Sequence, residues 1–86
     1  MDDLFARLVR MADAGAVNKA ENMLYQELDQ SDKTYLEMGI GFYHHLNEYG
    51  DDFLVQNDYT REEIGEGIRQ LLAEYGMDSL DEILEI

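Results

Sequence analysis

No cysteine and no proline occur in this 86-residue chain. Lack of cysteine excludes disulfides, thiolate-bound zinc and cysteine nucleophiles together, and fits a reducing compartment. Lack of proline leaves helical segments without their commonest internal breaker. No apolar run approaches the roughly 18–20 residues that span a bilayer. The opening M-D-D-L-F is acidic, where a secretory signal opens with positive charge. A soluble cytoplasmic protein that does not engage membranes is the expectation. Positive charge is also scarce, with six basic residues against twenty acidic ones and a formal net charge of −14. Such a chain is repelled by nucleic acid and by anionic lipid, so the expected partner is another protein or a second copy. Residues 51–86 hold eleven acids and two bases, so a charged partner is basic and meets the C-terminal half.

A hydrophobic content of 45% excludes a disordered acidic tail, which combines high charge with low hydrophobicity. The length allows one domain, residues 1–86, with a single small core. Apolar residues recur at helical rather than alternating spacing, so the chain reads as all-α. The expectation is a compact bundle of four main helices, with a short helical insert and a short C-terminal helix. The first helix spans about Asp2 to Ala14, with Leu4, Phe5, Leu8, Met11 and Ala12 on one face. The second spans about Val17 to Asp29, with Val17, Ala20, Leu24 and Leu28 inward and Met23 on the edge. A third, capped by Ser31 or Asp32, runs to about Tyr49, with Tyr35, Met38, Gly39, Phe42 and Leu46 inward and Gly50 as its stop. The insert carries Phe53, Leu54 and Val55. In N-D-Y-T-R-E-E-I, Thr60 and Glu63 form a capping box, with Tyr59 and Ile64 as its hydrophobic staple. The helix that follows ends at Gly76. Residues 76–86 read as a short amphipathic helix with Leu80, Ile83, Leu84 and Ile86 as its apolar side. The frame E-Y-G-x-D-x-L occurs at Glu48 and again at Glu74. Each copy reads as a left-handed glycine stop followed by an Asp cap.

The pieces A-G-A-V-N-K-A-E-N-M-L and F-L-V-Q-N-D-Y-T-R-E-E-I-G-E-G-I, with the closing Y-G-M, resemble a group of small helical bacterial proteins of unknown function. That resemblance implies no activity. The portion A-G-x-x-x-K-A-E-x-x-L is also similar to a tetratricopeptide-like hairpin, with Ala20 as the small residue at the helix contact. Only one hairpin fits, and that family's usual proline and tryptophan are missing.

Several motifs invite chemistry and fail on their spacing. Gly39 and Gly41 form a G-x-G, but a dinucleotide loop needs a third glycine, where His44 stands, and a preceding strand. Gly39 instead lies on the inward stripe of its helix, and Gly65 and Gly67 repeat the anomaly later. Interior glycine costs a helix about 1 kcal/mol, so these two helices are expected to touch closely at Gly39, Gly65 and Gly67. His44 and His45 are adjacent and point about 100° apart on a helix, so they cannot chelate one ion together. One is expected at the core edge and the other in solvent. Calcium-loop registers from Asp29 and Asp51 both put non-ligands at required positions. D-S-L-D at Asp78–Asp81 resembles the phosphopantetheine site of acyl carrier proteins, with Ser79 as the modified residue. In that family further helices follow the motif, whereas here seven residues follow Ser79. Asp78 and Ser79 therefore read as helix-start chemistry, and no cofactor or metal is expected. No nucleophile stands with a base, so no enzyme is expected. What remains is a non-catalytic, acidic protein–protein interaction module, self-associating or heteromeric. Leu80, Ile83, Leu84 and Ile86 are its docking side unless they fold onto their own core. The alternative is an acidic mimic of nucleic acid that inhibits a basic protein.

Fourteen net negative charges in a small domain repel one another. Raising salt from low to physiological strength should therefore raise the melting temperature, as read by circular dichroism. A flat response would mean that the acids are compensated within the fold.

Overall fold

Five helices follow one another along residues 3–77, the part described by this computed structural model. They are α1 (Leu4–Asp13), α2 (Val17–Glu27), α3 (Lys33–Asn47), the short α4 (Asp51–Gln56) and α5 (Arg61–Glu74). The described residues contain no strand. Helix α1 packs on α2 and on α3, and α3 packs on α5. The proposed C-terminal helix, with Ser79, Leu80, Ile83, Leu84 and Ile86, lies outside the described residues.

Local chemistry explains where the helices start. The Asp3 carboxylate accepts from the Phe5 amide at 3.1 Å, and the Asp32 carboxylate from the Thr34 amide at 2.9 Å. At α5 both halves of the capping box are made. The Thr60 hydroxyl accepts from the Glu63 amide, and the Glu63 carboxylate accepts from the Thr60 amide at 2.8 Å. Each satisfies backbone donors that the helix itself leaves open. Helix α2 stops at Glu27 rather than Asp29, because Leu28 leaves the helical region with ψ of 133° and the Asp29 carboxylate accepts from the Ser31 amide and hydroxyl two residues further on. Gly15 ends the α1 turn in the left-handed region, with φ of 97°, where a side chain is strained. Gly50 does not act as the expected left-handed stop. Its φ is −71° and it is itself the N-cap of α4. The second copy of the frame does contain a left-handed glycine, Gly76, with φ of 69°.

The core draws Leu8 and Ala12 from α1, Val17, Ala20 and Leu24 from α2, and Leu36, Phe42, Tyr43 and Leu46 from α3. Leu54, Tyr59, Ile64, Leu71 and Leu72 complete it. On α3 the buried stripe is rotated from the expected one. Leu36 and Tyr43 are buried, while Tyr35 and Met38 are half-buried, because α1 and α5 flank this helix on two sides and widen its apolar face. On α4 only Leu54 is buried, and Val55 is 67% exposed.

Helices α3 and α5 meet through two glycines. A methyl at Gly39 would lie 2.6 Å from Leu71 Cδ2, and one at Gly67 would lie 2.5 Å from the Tyr43 hydroxyl. Gly41 gives α1 similar room, with the Phe5 ring 3.3 Å from where its Cβ would be. Gly65 makes no such approach. It is two residues from Gly67 and so faces about 200° away on the helix, where its Cβ would meet only Arg69 of its own helix at 3.6 Å.

This difference gives a paired test. Gly67→Ala forces the Tyr43 ring to move and should destabilise by about 1–3 kcal/mol despite the better helix former. Gly65→Ala adds helix propensity at no more than an ordinary van der Waals contact with Arg69 and should stabilise by up to about 1 kcal/mol. Urea unfolding of both variants measures the contrast, and equal effects would sink the close-approach account.

Candidate functional site

Glu21 stands on α2 beside Ala20, at a half-buried position. Its Oε2 accepts the Tyr43 hydroxyl at 2.6 Å and the Tyr59 hydroxyl at 2.9 Å. Both phenols belong to the core. The Tyr25 hydroxyl lies 3.1 Å from that of Tyr43 and 3.2 Å from the Gly67 carbonyl. Since Tyr43 donates its proton to Glu21, Tyr25 is the donor to Tyr43 and shares its proton with Gly67. One carboxylate and three phenols thus tie α2 and α3 to α5 and to the turn before it. Burial, followed by the hydrogen bond to Glu21, pushes the Tyr43 phenol far above the ordinary tyrosine range. Burial and the Glu21 charge do the same to Tyr59. Such phenols are donors at neutral pH and supply neither a base nor a nucleophile.

A second cluster joins α1 to the end of α3. His45 Nε2 lies 2.9 Å from Asp13 Oδ1 and 3.1 Å from the Tyr49 hydroxyl, which also donates to Asp13. The Tyr49 hydrogen bond, then the one from His45, holds the Asp13 carboxyl below the usual range. The stability this gives is present at neutral pH and is lost as the pH falls below about 4. Asp13 is half exposed, which keeps its worth small. Although an aspartate–histidine pair resembles part of a catalytic relay, its third member is a phenol pushed upward by burial and by Asp13. His44 is the exposed histidine, 3.6 Å from Glu48, and His45 the half-buried one.

A third group is built on Arg61. Its guanidinium donates to Asp51 at 2.7 Å, to the Asn47 carbonyl at 2.8 Å and to the Tyr49 carbonyl at 2.8 Å. It thereby closes the open carbonyls at the end of α3 and fastens α5 to α4. Among the described residues, no three His, Cys, Asp or Glu side chains converge as metal ligands would. No helix described is long and apolar enough to cross a membrane.

Two clefts open beside these clusters. One of about 670 Å³ lies between the end of α2 and α5, lined by Leu28, Asp29, Gln70 and Glu74 among others. The other, of about 340 Å³, runs between α3 and α5 over Ile40, Ile64, Gly65 and Ile68, with His44 and Arg61 at its border. Of the residues singled out in the sequence, Gly39 and Gly67 sit at the α3–α5 contact and Gly65 lines the second cleft. The Glu21 cluster was not legible there, because Glu21 reads as an ordinary polar position on an amphipathic helix.

Residues 1–76 match a family of unknown function, DUF6483. The chain belongs to that family. No curated protein and no solved structure matches it.

The buried phenols yield a prediction with a defined sign. Tyr43→Phe removes a hydrogen bond to a carboxylate and should destabilise by about 1.5–3 kcal/mol at pH 7. A phenol raised in the folded state stabilises fully below the unfolded value of about 10, and this stability is lost as the pH rises above it. The gap between wild type and variant in urea unfolding should therefore narrow between pH 9 and pH 11 (roughly the span around that value). A gap independent of pH would mean that Tyr43 is not held neutral by the fold.

Proposed function

We propose that this protein is a non-catalytic, acidic interaction module that docks a protein partner through the apolar residues Leu80, Ile83, Leu84 and Ile86. The observation that carries this reading is where the polar groups of the described residues go. Glu21, Asp13 and Arg61 spend their hydrogen bonds on tyrosines, a histidine, an aspartate, an asparagine and backbone carbonyls. Every buried side-chain nitrogen or oxygen described has a partner. A reactive site keeps polar groups free to meet a substrate, with matched proton affinities. These clusters are instead closed on themselves and act as braces. The excess acid is left to the surface, where it steers basic partners and repels wrong ones.

Ala20, fully buried where α1 and α2 pack, agrees with a tetratricopeptide-like hairpin as the N-terminal part of the module. The cytoplasm suits a chain without cysteine, and a second copy remains within the partner class.

Affinity capture from a cell lysate checks the reading, with wild type beside Ile83→Asp/Leu84→Asp in the full-length chain. A partner retained by wild type at physiological salt and lost by the variant is the expected result. If both chains hold the same basic proteins and release them together as salt rises, the acidic surface is acting as a nucleic-acid mimic. Capture of nothing by either chain removes the interaction reading.

A further inference from the structure

The Asp13–His45–Tyr49 group differs from the Arg61 brace in how its protons are shared. Each Arg61 contact is made by an N–H of its own. Around Asp13, three lone-pair atoms meet with fewer protons than contacts. Asp13 Oδ1 accepts from the Tyr49 hydroxyl, and His45 Nε2 lies 2.9 Å from that oxygen and 3.1 Å from the hydroxyl. The Tyr49 proton goes to Asp13, and Nε2 carries one proton at most. A single cation bound by all three atoms satisfies them together. The third donor is a tyrosine, so no group of His, Cys, Asp and Glu alone marks the place among the described residues.

The spacing fits such an ion. With bonds of about 2.1 Å, two donors at right angles on a metal lie about 3.0 Å apart, close to both His45 distances. The three atoms come from separate places and are held there. Asp13 ends α1, His45 stands in the last turn of α3, and Tyr49 follows that helix. The Tyr49 ring packs on His45 at a centroid distance of 5.2 Å and on Phe53 at 4.3 Å. The His45 and Asp13 side chains are 30% and 52% exposed, so an ion can enter and water can complete its shell. A net charge of −14 draws cations toward the molecule.

The donors also select the ion. Calcium and magnesium take oxygens alone, and soft monovalent copper takes sulfur. Imidazole with oxygen donors suits copper(II), which binds most strongly in the divalent series. Burial, then Asp13, raises the Tyr49 phenol, so its proton yields only to a strongly Lewis-acidic ion. Going beyond the interaction reading, and independent of it, we propose that Asp13, His45 and Tyr49 form a copper(II) site that clamps the end of α1 to the end of α3. On binding, the Tyr49 O–H bond breaks, a Cu–O bond forms and the proton leaves to solvent. His45 ligates through Nε2 in the tautomer that carries its proton on Nδ1. The rival on the surface is the exposed His44–Glu48 pair, whose atoms lie 3.6 Å apart.

Copper(II) chloride titrated into the full-length chain, in a non-coordinating buffer at pH 7, tests the site by calorimetry and absorbance. Wild type should take up one ion, gain a phenolate-to-copper charge-transfer band and melt at a higher temperature. Tyr49→Phe keeps its ring and should lose the band. His45→Gln should weaken binding by about tenfold or more. His44→Ala should change neither binding nor band. Circular dichroism of the copper-free chains checks that each variant is folded, and Tyr49→Phe alone decides the matter if His45→Gln is not. Copper held equally well by His45→Gln, or lost with His44→Ala, would be an adventitious ion only and would overturn the site. A band that survives Tyr49→Phe, or no uptake by wild type, would overturn it as well. Each of these results leaves the lysate capture untouched.

Discussion

Tyr43 stands where α2, α3 and α5 converge. Its ring fills the space above Gly67, and its hydroxyl is fastened to Glu21. A buried hydroxyl without a partner costs roughly 1–3 kcal/mol, and a hydrogen bond to a charged acceptor is worth about as much. The tyrosine is therefore tolerated in the core only if α2 delivers the carboxylate to the right place. Glycine at 67 is in turn required by the ring, and the helix gives up about 1 kcal/mol of propensity there. Three separately unfavourable choices, a buried phenol, a half-buried carboxylate and a mid-helix glycine, become favourable together. The same arrangement fixes register, because shifting α5 by one residue would put a side chain into the Tyr43 ring.

Around that point the molecule separates its polar groups by task. Arg61 closes the carbonyl end of α3, Asp13 and His45 join α1 to it, and Tyr75 donates to the Asp29 and Asp32 carbonyls at 2.7 and 3.1 Å. Each brace reaches an irregular segment or a helix end, where backbone groups lack helical partners. A fold whose helices are joined by short turns has few other means to hold those turns. Most of the described acids not used this way are exposed, where they repel one another.

Features set by nearby residues were legible in the sequence, and features that couple distant residues were not. The capping box at Thr60 and Glu63 needs only four consecutive positions, and the inward faces of α1 and α2 need only periodicity. Gly39 was legible because it fell on an apolar stripe. Gly65 was grouped with Gly67 by proximity in sequence, although two residues on a helix face nearly opposite ways. Gly50 shares its local frame with Gly76, yet their backbones differ, because Gly50 opens α4 directly while Gly76 closes α5. Glu21 lies 22 residues from Tyr43 and 38 from Tyr59, and no local pattern reports such a pairing. The available hint was chemical. Phe42 and Tyr43 are adjacent, so a helix burying both has a wide apolar face, and a buried phenol calls for an acceptor somewhere.

The α3–α5 cleft follows from the same packing. Glycines at 39 and 67 draw the two helices together on the side of Tyr43 and Leu71. Helices joined closely along one line leave a groove along their outer side, and Gly65, turned about 200° from Gly67, leaves that groove unfilled. With alanine or leucine at 65 the close contact would survive and the groove would shrink. The residue therefore has no packing reason to be glycine, while it costs the helix about 1 kcal/mol.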